Sequence, residues 1–309
     1  MTEVRDLIIV GGAAAAQSAA IYGYRSGMDV LVIADAYGGQ INNTDIVENY
    51  LGIKSVSGPE LAERFTEHMR EYGVDEEKGN KVTNIDRDDN IFHVELENGD
   101  SFKAYSVIVA TGGSRRKLNA PGEEEFANKG VGYCAVCDGP LYQGEEVAVV
   151  GGGYAGTEAA VYLSDVAEKV YLLSRSGNLT GEQITIEELK DTENIEILRG
   201  ASTKRFYGDN LLEGLEYEMG GETHKLEVPG AFIEIGTVPN SDISDLYETT
   251  ESGYIKVDEN RETTEEGLYA AGDVTDKGAQ QLVVSAGQGC QAALKASEYV
   301  KRIKSGEEE

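Results

Sequence analysis

At 309 residues, 40% of them hydrophobic, the chain is long enough for about two domains, each with its own core. Acidic residues outnumber basic ones 56 to 27, for a formal charge of -29, which argues against nucleic acid or anionic membrane as partners, since both are bound by basic surfaces. The acids are spread along the whole length, which reads better as a surface that stays soluble in high salt than as an acidic protein of ordinary surroundings, and only Glu307-Glu308-Glu309 reads as a frayed end.

No secretory signal is expected, because Arg5 and Asp6 run straight into an apolar strand and a Gly-Gly turn. Residues 7–24 carry no charge, but Gly11, Gly12, Gln17 and Ser18 in their middle fit a strand, a turn and a helix better than a membrane span. The chain therefore reads as soluble and cytoplasmic. Residues 6–22, DLIIVGGAAAAQSAAIY, return at an offset of 140 residues as EVAVVGGGYAGTEAAVY at 146–162. Each copy is a short apolar strand, a glycine turn and a helix with small residues on one face. A second apolar strand follows each: Val30-Leu31-Val32-Ile33 and Val170-Tyr171-Leu172-Leu173. Two such units predict an α/β fold with two doubly wound, Rossmann-like dinucleotide-binding domains. Further strands are expected at His93 to Leu96, Val107 to Ala110, Ala231 to Gly236 and Gly267 to Val274, and a closing helix over 286–302.

A glycine turn lays backbone N–H groups and a helix N-terminus against a pyrophosphate, with glycine wherever a side chain would block the approach. The second copy carries the full G-x-G-x-x-G as Gly151, Gly153 and Gly156; the first keeps Gly11 but has Ala13 and Ala16 at the next two positions. Between the copies lies Cys134-Ala135-Val136-Cys137-Asp138-Gly139, holding two of the three cysteines in the chain. A metal half-site lacks partners, since His68, His93 and His224 are widely spread and no second cysteine pair exists; no metal is expected. Inert core thiols are one reading. The other is a redox dithiol, closing a small disulfide loop, with Asp138 placed to move the proton that thiol exchange requires. Cys290, on an alanine-rich helix, reads as packing.

Taken together, these residues resemble the low-molecular-weight thioredoxin reductase family of flavoprotein disulfide reductases over essentially the whole chain. The resemblance rests on Gly38-Gly39-Gln40-Ile41, Val47-Glu48-Asn49-Tyr50-Leu51-Gly52, Ala110-Thr111-Gly112-Gly113-Ser114, Pro121-Gly122-Glu123, CAVCDG from Cys134, Gly272-Asp273-Val274, and Gln281 with Ser285-Ala286-Gly287. The glutathione-reductase type, which uses a C-terminal histidine, is excluded because no histidine follows His224.

The resemblance implies a three-layer ββα type of domain, an FAD-binding domain from 1–116 and 244–309, and an inserted NAD(P)H-binding domain from 117–243 that carries the dithiol. It implies FAD contacts at Gly11, Gly12, Ala14, Ala15, Asp35, Gly39, Gln40, Asn49, Val82, Thr111, Gly112, Gly272, Asp273, Gln281, Leu282 and Val283. For the nicotinamide nucleotide it implies Gly151, Gly153, Tyr154, Ala155, Gly156, Ser174, Arg175 and Gly236. Cys137 would take electrons from the flavin, Cys134 would attack the disulfide of a thioredoxin, and Asp138 would be the acid–base. Hinges are expected near 114–120 and 239–244, and the assembly as a homodimer. Where the family carries a histidine and paired arginines for the 2′-phosphate of NADPH, this chain has Ser174-Arg175-Ser176 and Thr180, and Gln280 stands where an arginine often precedes the matching glutamine. NADPH is the expected donor, with NADH, ferredoxin or another carrier as the alternative; a flavoprotein sensor without turnover is a third reading.

Overall fold

The structure is a computed structural model describing residues 4–44, 46–133 and 135–306. In chain order it forms β1 (Val4–Val10), α1 (Ala14–Arg25), β2 (Val30–Ala34), a 3₁₀ turn (Gly39–Asn43), β3 (Ile46–Val47), β4 (Val56–Ser57), α2 (Gly58–Arg70), β5 (Asp75–Lys78), β6 (Val82–Asp88), β7 (Ile91–Leu96), β8 (Ser101–Val109) and β9 (Gly113–Arg115). It continues through β10 (Val131–Gly132), α3 (Ala135–Asp138), a 3₁₀ turn (Gly139–Tyr142), β11 (Glu146–Val150), α4 (Tyr154–Ser164), β12 (Lys169–Ser174), α5 (Gln183–Asp191), β13 (Ile195–Arg199), β14 (Ser202–Gly208), β15 (Leu212–Met219), β16 (Glu222–Glu227), β17 (Gly230–Ile233), β18 (Thr237–Pro239), β19 (Leu268–Ala270) and α6 (Leu282–Ser305). The chain divides into two compact units, Met1–Ser114 with Val238–Glu309, and Arg115–Thr237.

Unit 1 is a sheet in the order β5-β2-β1-β8, parallel throughout. The far edge of β8 is shared: β19 pairs its C-terminal half in parallel, while β7 pairs its N-terminal half antiparallel and leads on to β6. The β1 run is continuous rather than alternating because both faces are covered. Leu7 and Ile9 face a core with the alanines of α1 and α6, whereas Ile8 and Val10 face one with Ile85, Phe92 and Val94. Small residues let the two helices approach closely: a Cβ on Gly289 would stand 2.0 Å from the Ala15 carbonyl oxygen. The closing helix starts at Leu282 and ends at Ser305, longer at both ends than the expected 286–302. Its N-cap residue, Gln281, accepts the first helical bond from the Ser285 N–H.

Unit 2 repeats the design. Its parallel sheet runs β10-β17-β11-β12-β13, and an antiparallel meander, β14-β15-β16, covers one face. Val147, Val149, Val170 and Leu172 pack with α4 and α5, and Ala148, Val150, Leu173 and Ile233 pack with Phe206, Leu212 and Leu215 beneath the meander. Phe92 and Phe232 are fully buried anchors of the two units, and truncating either to alanine costs about 3–5 kcal/mol. Each unit is thus a three-layer, Rossmann-like α/β domain with its helices on one face and a β-meander on the other.

The second crossing between units lies at 237/238 rather than the expected 243/244. The reason is hydrogen bonding within unit 1. The Asn240 N–H donates to the Gly112 carbonyl at 2.9 Å, its amide donates to the Thr111 carbonyl at 3.0 Å, and the Ile85 N–H donates to the Ile243 carbonyl at 2.8 Å. The first crossing lies at 114/115, against an expected 116/117. Among the described residues no helix is long and apolar enough to cross a membrane.

Candidate functional site

In unit 1 the turn after β1 is shaped by close backbone approach. Gly11 has φ +133°, and a Cβ there would lie 2.2 Å from the Ala110 carbonyl oxygen; one on Gly12 would lie 2.2 Å from that of Ala36. Helix α1 then starts at an N-cap, Ala13, that makes no side-chain cap bond, with no acidic residue in its first turn. Its leading N–H groups and positive dipole end are left for an anion. The same holds at α6, whose N-cap is Gln281. The GGQ segment closes on this turn: the Gly38 N–H donates to the Gly12 carbonyl at 2.9 Å, and a Cβ on Gly39 would meet the Ala13 methyl at 2.9 Å.

Most of the expected FAD residues converge here. Asn49 donates to Gln281 at 3.2 Å across 232 residues of sequence, and Gln40 donates to the Gly113 carbonyl at 2.8 Å, beside Thr111 and Gly112. Gly272 needs its φ of +83° and packs against Ala15, while its N–H donates to Gln288 at 2.7 Å. Asp273 accepts from the Ser285 hydroxyl at 3.1 Å; burial raises its carboxyl above the usual range, opposed by that bond. Leu282 and the exposed Val283 begin α6 close to Asp273 in sequence. Asp35, directly after β2, pairs with Lys81 at 3.5 Å, which brings it near Val82 at the start of β6. Ala14 also lines a cleft of about 400 Å³ with Gln17, Tyr22, Arg25, Tyr50 and His68. These residues suit a dinucleotide such as FAD: two uncapped helix N-termini, glycines where methyls would collide, and one acid at a strand end.

The unit 2 turn separates the jobs of its glycines. Cβ atoms on Gly151, Gly152 and Gly156 would lie 2.0, 2.1 and 2.0 Å from the Glu234 carbonyl, the Ser174 hydroxyl and the Gly151 carbonyl. Around the Cβ positions of Gly153 and Gly236 nothing among the described residues stands within 4 Å. Tyr154 and Ala155 open α4, again uncapped and free of acids in its first turn. Fully buried Ala16 shows that the first turn holds a methyl at the place where the second, at Gly156, has no room for one.

Ser174 does not present its hydroxyl to a nucleotide: it is 1% exposed, lies against Gly152 and donates to the Ser176 carbonyl at 3.0 Å. Arg175 is exposed at the turn. A second cation, Arg199, was not expected there. It is paired in register with Ser174, and its guanidinium donates to the Gly177 carbonyl at 3.0 Å. A basic residue ending the strand next to β12 was the signal in the sequence.

Cys134 lies outside the described residues. Cys137 and Asp138 are the last two residues of α3, and the Asp138 carboxylate lies 3.2 Å from where a Cβ on Gly132 would stand. Burial, with Asp138 nearby, raises the Tyr142 phenol above its usual range. The residue before Cys134 is fixed by a carboxylate that is 1% exposed: Glu123 accepts from the Leu118 N–H at 3.0 Å, the Ala120 N–H at 3.2 Å and the Tyr133 hydroxyl at 2.8 Å. The Pro-Gly-Glu motif is therefore the support of the cysteine segment. Gly122 serves the same loop, with φ +86° and its Cβ position 2.3 Å from the Phe206 carbonyl oxygen.

Comparison with known proteins places this geometry. The F subunit of the alkyl hydroperoxide reductase of Staphylococcus aureus is 40% identical over 303 residues, 97% of this chain, although the chain spans only 60% of that relative's length. The thioredoxin reductase of Lactococcus lactis superposes with a TM-score of 0.92 at 34% identity, covering 96% of this chain and 99% of that one. A ferredoxin-flavin thioredoxin reductase from Clostridium acetobutylicum matches with a TM-score of 0.54 at 31% identity, covering 97% and 99%. The profile of the pyridine nucleotide-disulphide oxidoreductases matches residues 5–289. From the first strand to the first third of α6, then, the chain belongs to the pyridine nucleotide-disulphide oxidoreductase family, disulfide oxidoreductases that use FAD and a pyridine nucleotide.

Proposed function

We propose that the protein is a thioredoxin-disulfide reductase that passes electrons from NADPH through FAD and the Cys134–Cys137 pair to a thioredoxin-like protein. The observation that carries this reading is the match along nearly the full length of a thioredoxin reductase of the same size, with CAVCDG in the second unit. In this reading FAD binds the unit 1 turn and supplies the two-electron step between donor and dithiol. Unit 1 is then the FAD domain, and unit 2 is the NAD(P)H domain, holding the nucleotide at Gly151, Gly153, Gly156 and Arg175. Cys137 receives the electrons, Cys134 exchanges with the partner's disulfide, and Asp138 moves the proton. The protein works as a homodimer in the cytoplasm of a cell with high internal salt, to which its charge of -29 is suited.

The test is anaerobic titration of the purified, flavin-loaded protein with NADPH and with NADH, followed by turnover with thioredoxin. Cys134→Ser should leave the flavin reducible and abolish thioredoxin reduction; turnover at the parent rate would refute the roles given to the pair. A second reading keeps the flavin and dithiol but takes electrons from ferredoxin. It is favoured by Ser174, which is turned under Gly152 with its hydroxyl occupied, and by the match to a ferredoxin-flavin enzyme. Flavin reduction by ferredoxin and by neither nucleotide would select it. The match to a component of an alkyl hydroperoxide reductase adds a peroxide-reducing partner as an alternative acceptor, read by replacing thioredoxin in the same assay.

A further inference from the structure

Unit 2 contains a titratable group that the chemistry above leaves unused. Glu234 directly follows β17, and its carbonyl oxygen lies 2.0 Å from where a Cβ on Gly151 would stand, so its backbone runs beneath the glycine turn. Its side chain, 14% exposed, turns toward the start of α3, where one carboxylate oxygen accepts from the Ala135 N–H at 3.4 Å. That amide is the next in the chain after Cys134. The Arg115 guanidinium from β9 lies 3.9 Å from the same oxygen, and its buried Nη1 has no hydrogen bond among the described residues. Glu158 on α4 faces the group with like charge. Burial pushes the Glu234 carboxyl up to about 7, opposed by Arg115 and the Ala135 amide and reinforced by Glu158. Glu158 is itself raised by burial and by Glu182. A largely enclosed acid with one loosely held cation, one like charge and one contact to the cysteine loop is not explained by packing.

We propose that Glu234 is a positioning residue for the cysteine pair, holding the start of α3 through the Ala135 amide and taking up a proton when the pair is reduced. The inference rests on the reading of the pair as redox-active. Reduction breaks the S–S bond as two electrons enter from the reduced flavin or an external dithiol. Of the two protons taken up, one goes to a sulfur to form a thiol and the other to Glu234, leaving the second sulfur as thiolate. The new negative charge disfavours the ionised carboxylate, and that is the source of the second proton's affinity. Without Glu234 the thiolate would form with the uptake of one proton.

The experiment uses the full-length, flavin-loaded protein equilibrated in dithiothreitol redox buffers from about pH 6 to about pH 9. Free thiols are then alkylated and counted by intact mass, with Cys290 as a constant single label. The ratio of wild-type to Glu234→Gln reduction equilibrium constants should change by roughly threefold or more across that range, about 14 mV for a two-electron couple. A constant ratio overturns the proton linkage. A pair that never oxidises in either protein overturns the dithiol reading itself, a different result. Glutamine keeps an acceptor for the Ala135 amide, so hydrogen exchange at Ala135 should quicken in Glu234→Ala and stay unchanged in Glu234→Gln. Equal protection in all three proteins overturns the anchoring role. If the alanine variant fails to fold, the glutamine comparison carries the test alone.

Discussion

Replacing Glu123 tests whether the loop before the cysteine pair is held by one buried carboxylate. Glu123→Ala leaves three donors without their acceptor: the Leu118 and Ala120 N–H groups and the Tyr133 hydroxyl. Each unsatisfied donor costs about 1–3 kcal/mol, and all three residues are half-buried, so the low end applies. Removing a buried charge returns part of this, because the carboxylate no longer has to be desolvated. The expected net loss is about 2–4 kcal/mol. Tyr133→Phe removes one donor and leaves both backbone bonds, for about 1 kcal/mol. Glu123→Gln should fall between them, because its amide group must face one donor with another. The double variant Glu123→Ala/Tyr133→Phe should cost less than the sum of its parts, since the two share a bond. The chain has no tryptophan, so unfolding in guanidinium is followed by far-ultraviolet circular dichroism, with amide exchange at Leu118 and Ala120 reporting on the loop. A Glu123→Ala loss below about 1 kcal/mol, or a Tyr133→Phe loss equal to it, would refute the reasoning.

The glycines of the unit 2 turn should separate by job. Gly151→Ala, at φ +142° and 2.0 Å from a carbonyl, should destabilise unit 2 by several kcal/mol, roughly the scale of a strained backbone plus overpacking. Gly153→Ala, with nothing among the described residues within 4 Å, should leave stability unchanged and weaken nucleotide binding, as measured by calorimetry. In the first turn, Ala13→Gly should tighten FAD binding in a fluorescence titration, since Ala13 stands where the second turn has Gly153. Arg175→Ala and Arg199→Ala should each lower NADPH preference over NADH, an effect that shrinks in molar salt, where the Debye length is about 3 Å. A strong preference surviving both changes would point to another group reading the phosphate. Finally, burial pushes the folded-state Glu234 carboxyl up to about 7 from an ordinary value of 4.5. The folded state then binds more protons between those values, so Glu234's contribution falls as pH rises through that window and stays low above it. Glu234→Gln should therefore gain stability relative to the parent between about pH 5 and pH 8, on the order of 2–3 kcal/mol, in parallel denaturant titrations.

What could be read from the sequence was whatever depends on spacing along the chain. The repeat at residues 6–22 and 146–162 exposed both nucleotide-type units because a strand, a glycine turn and a small-residue helix are contiguous and leave a fixed pattern. The residues of those turns, from Gly11 and Gly12 to Gly151 and Gly156, follow directly from it. That Asn49 and Gln281 serve one site is implied only by the family resemblance; their hydrogen bond to each other was not foreseen, since nothing local to either residue points to a partner 232 positions away. The true start of α6 at Leu282 is hidden because its N-cap, Gln281, makes no side-chain cap bond and no acidic residue marks the first turn. The boundary at 237/238 is hidden for a related reason: Asn240 resembles any loop asparagine until its three bonds to Thr111 and Gly112 are seen.

Side chains whose roles arise only from long-range closure leave at most a faint signal in the pattern, such as the basic residue that ends β13. Ser174 sits where a phosphate ligand is expected, yet the turn of the neighbouring Gly152 consumes the space its hydroxyl would need. Arg199 enters the same neighbourhood from the next strand because parallel pairing sets it opposite Ser174. Glu234 lies inside the strand expected at 231–236, whereas β17 ends at Ile233 and leaves Glu234 just past the strand end. It is largely enclosed there because the parallel sheet places it between Arg115, α3 and α4, and it acquires its character from the Ala135 amide, 99 residues away, and from the Arg115 guanidinium, more distant still in the chain. In a doubly wound fold, catalytic groups collect at the C-terminal edge of the sheet, where strand ends far apart in sequence become neighbours. The glycine turns mark that edge in the sequence, and the acids and bases that share it with them do not. A charged residue directly after an apolar strand of such a unit is therefore best regarded as a candidate for the site before it is assigned to the surface.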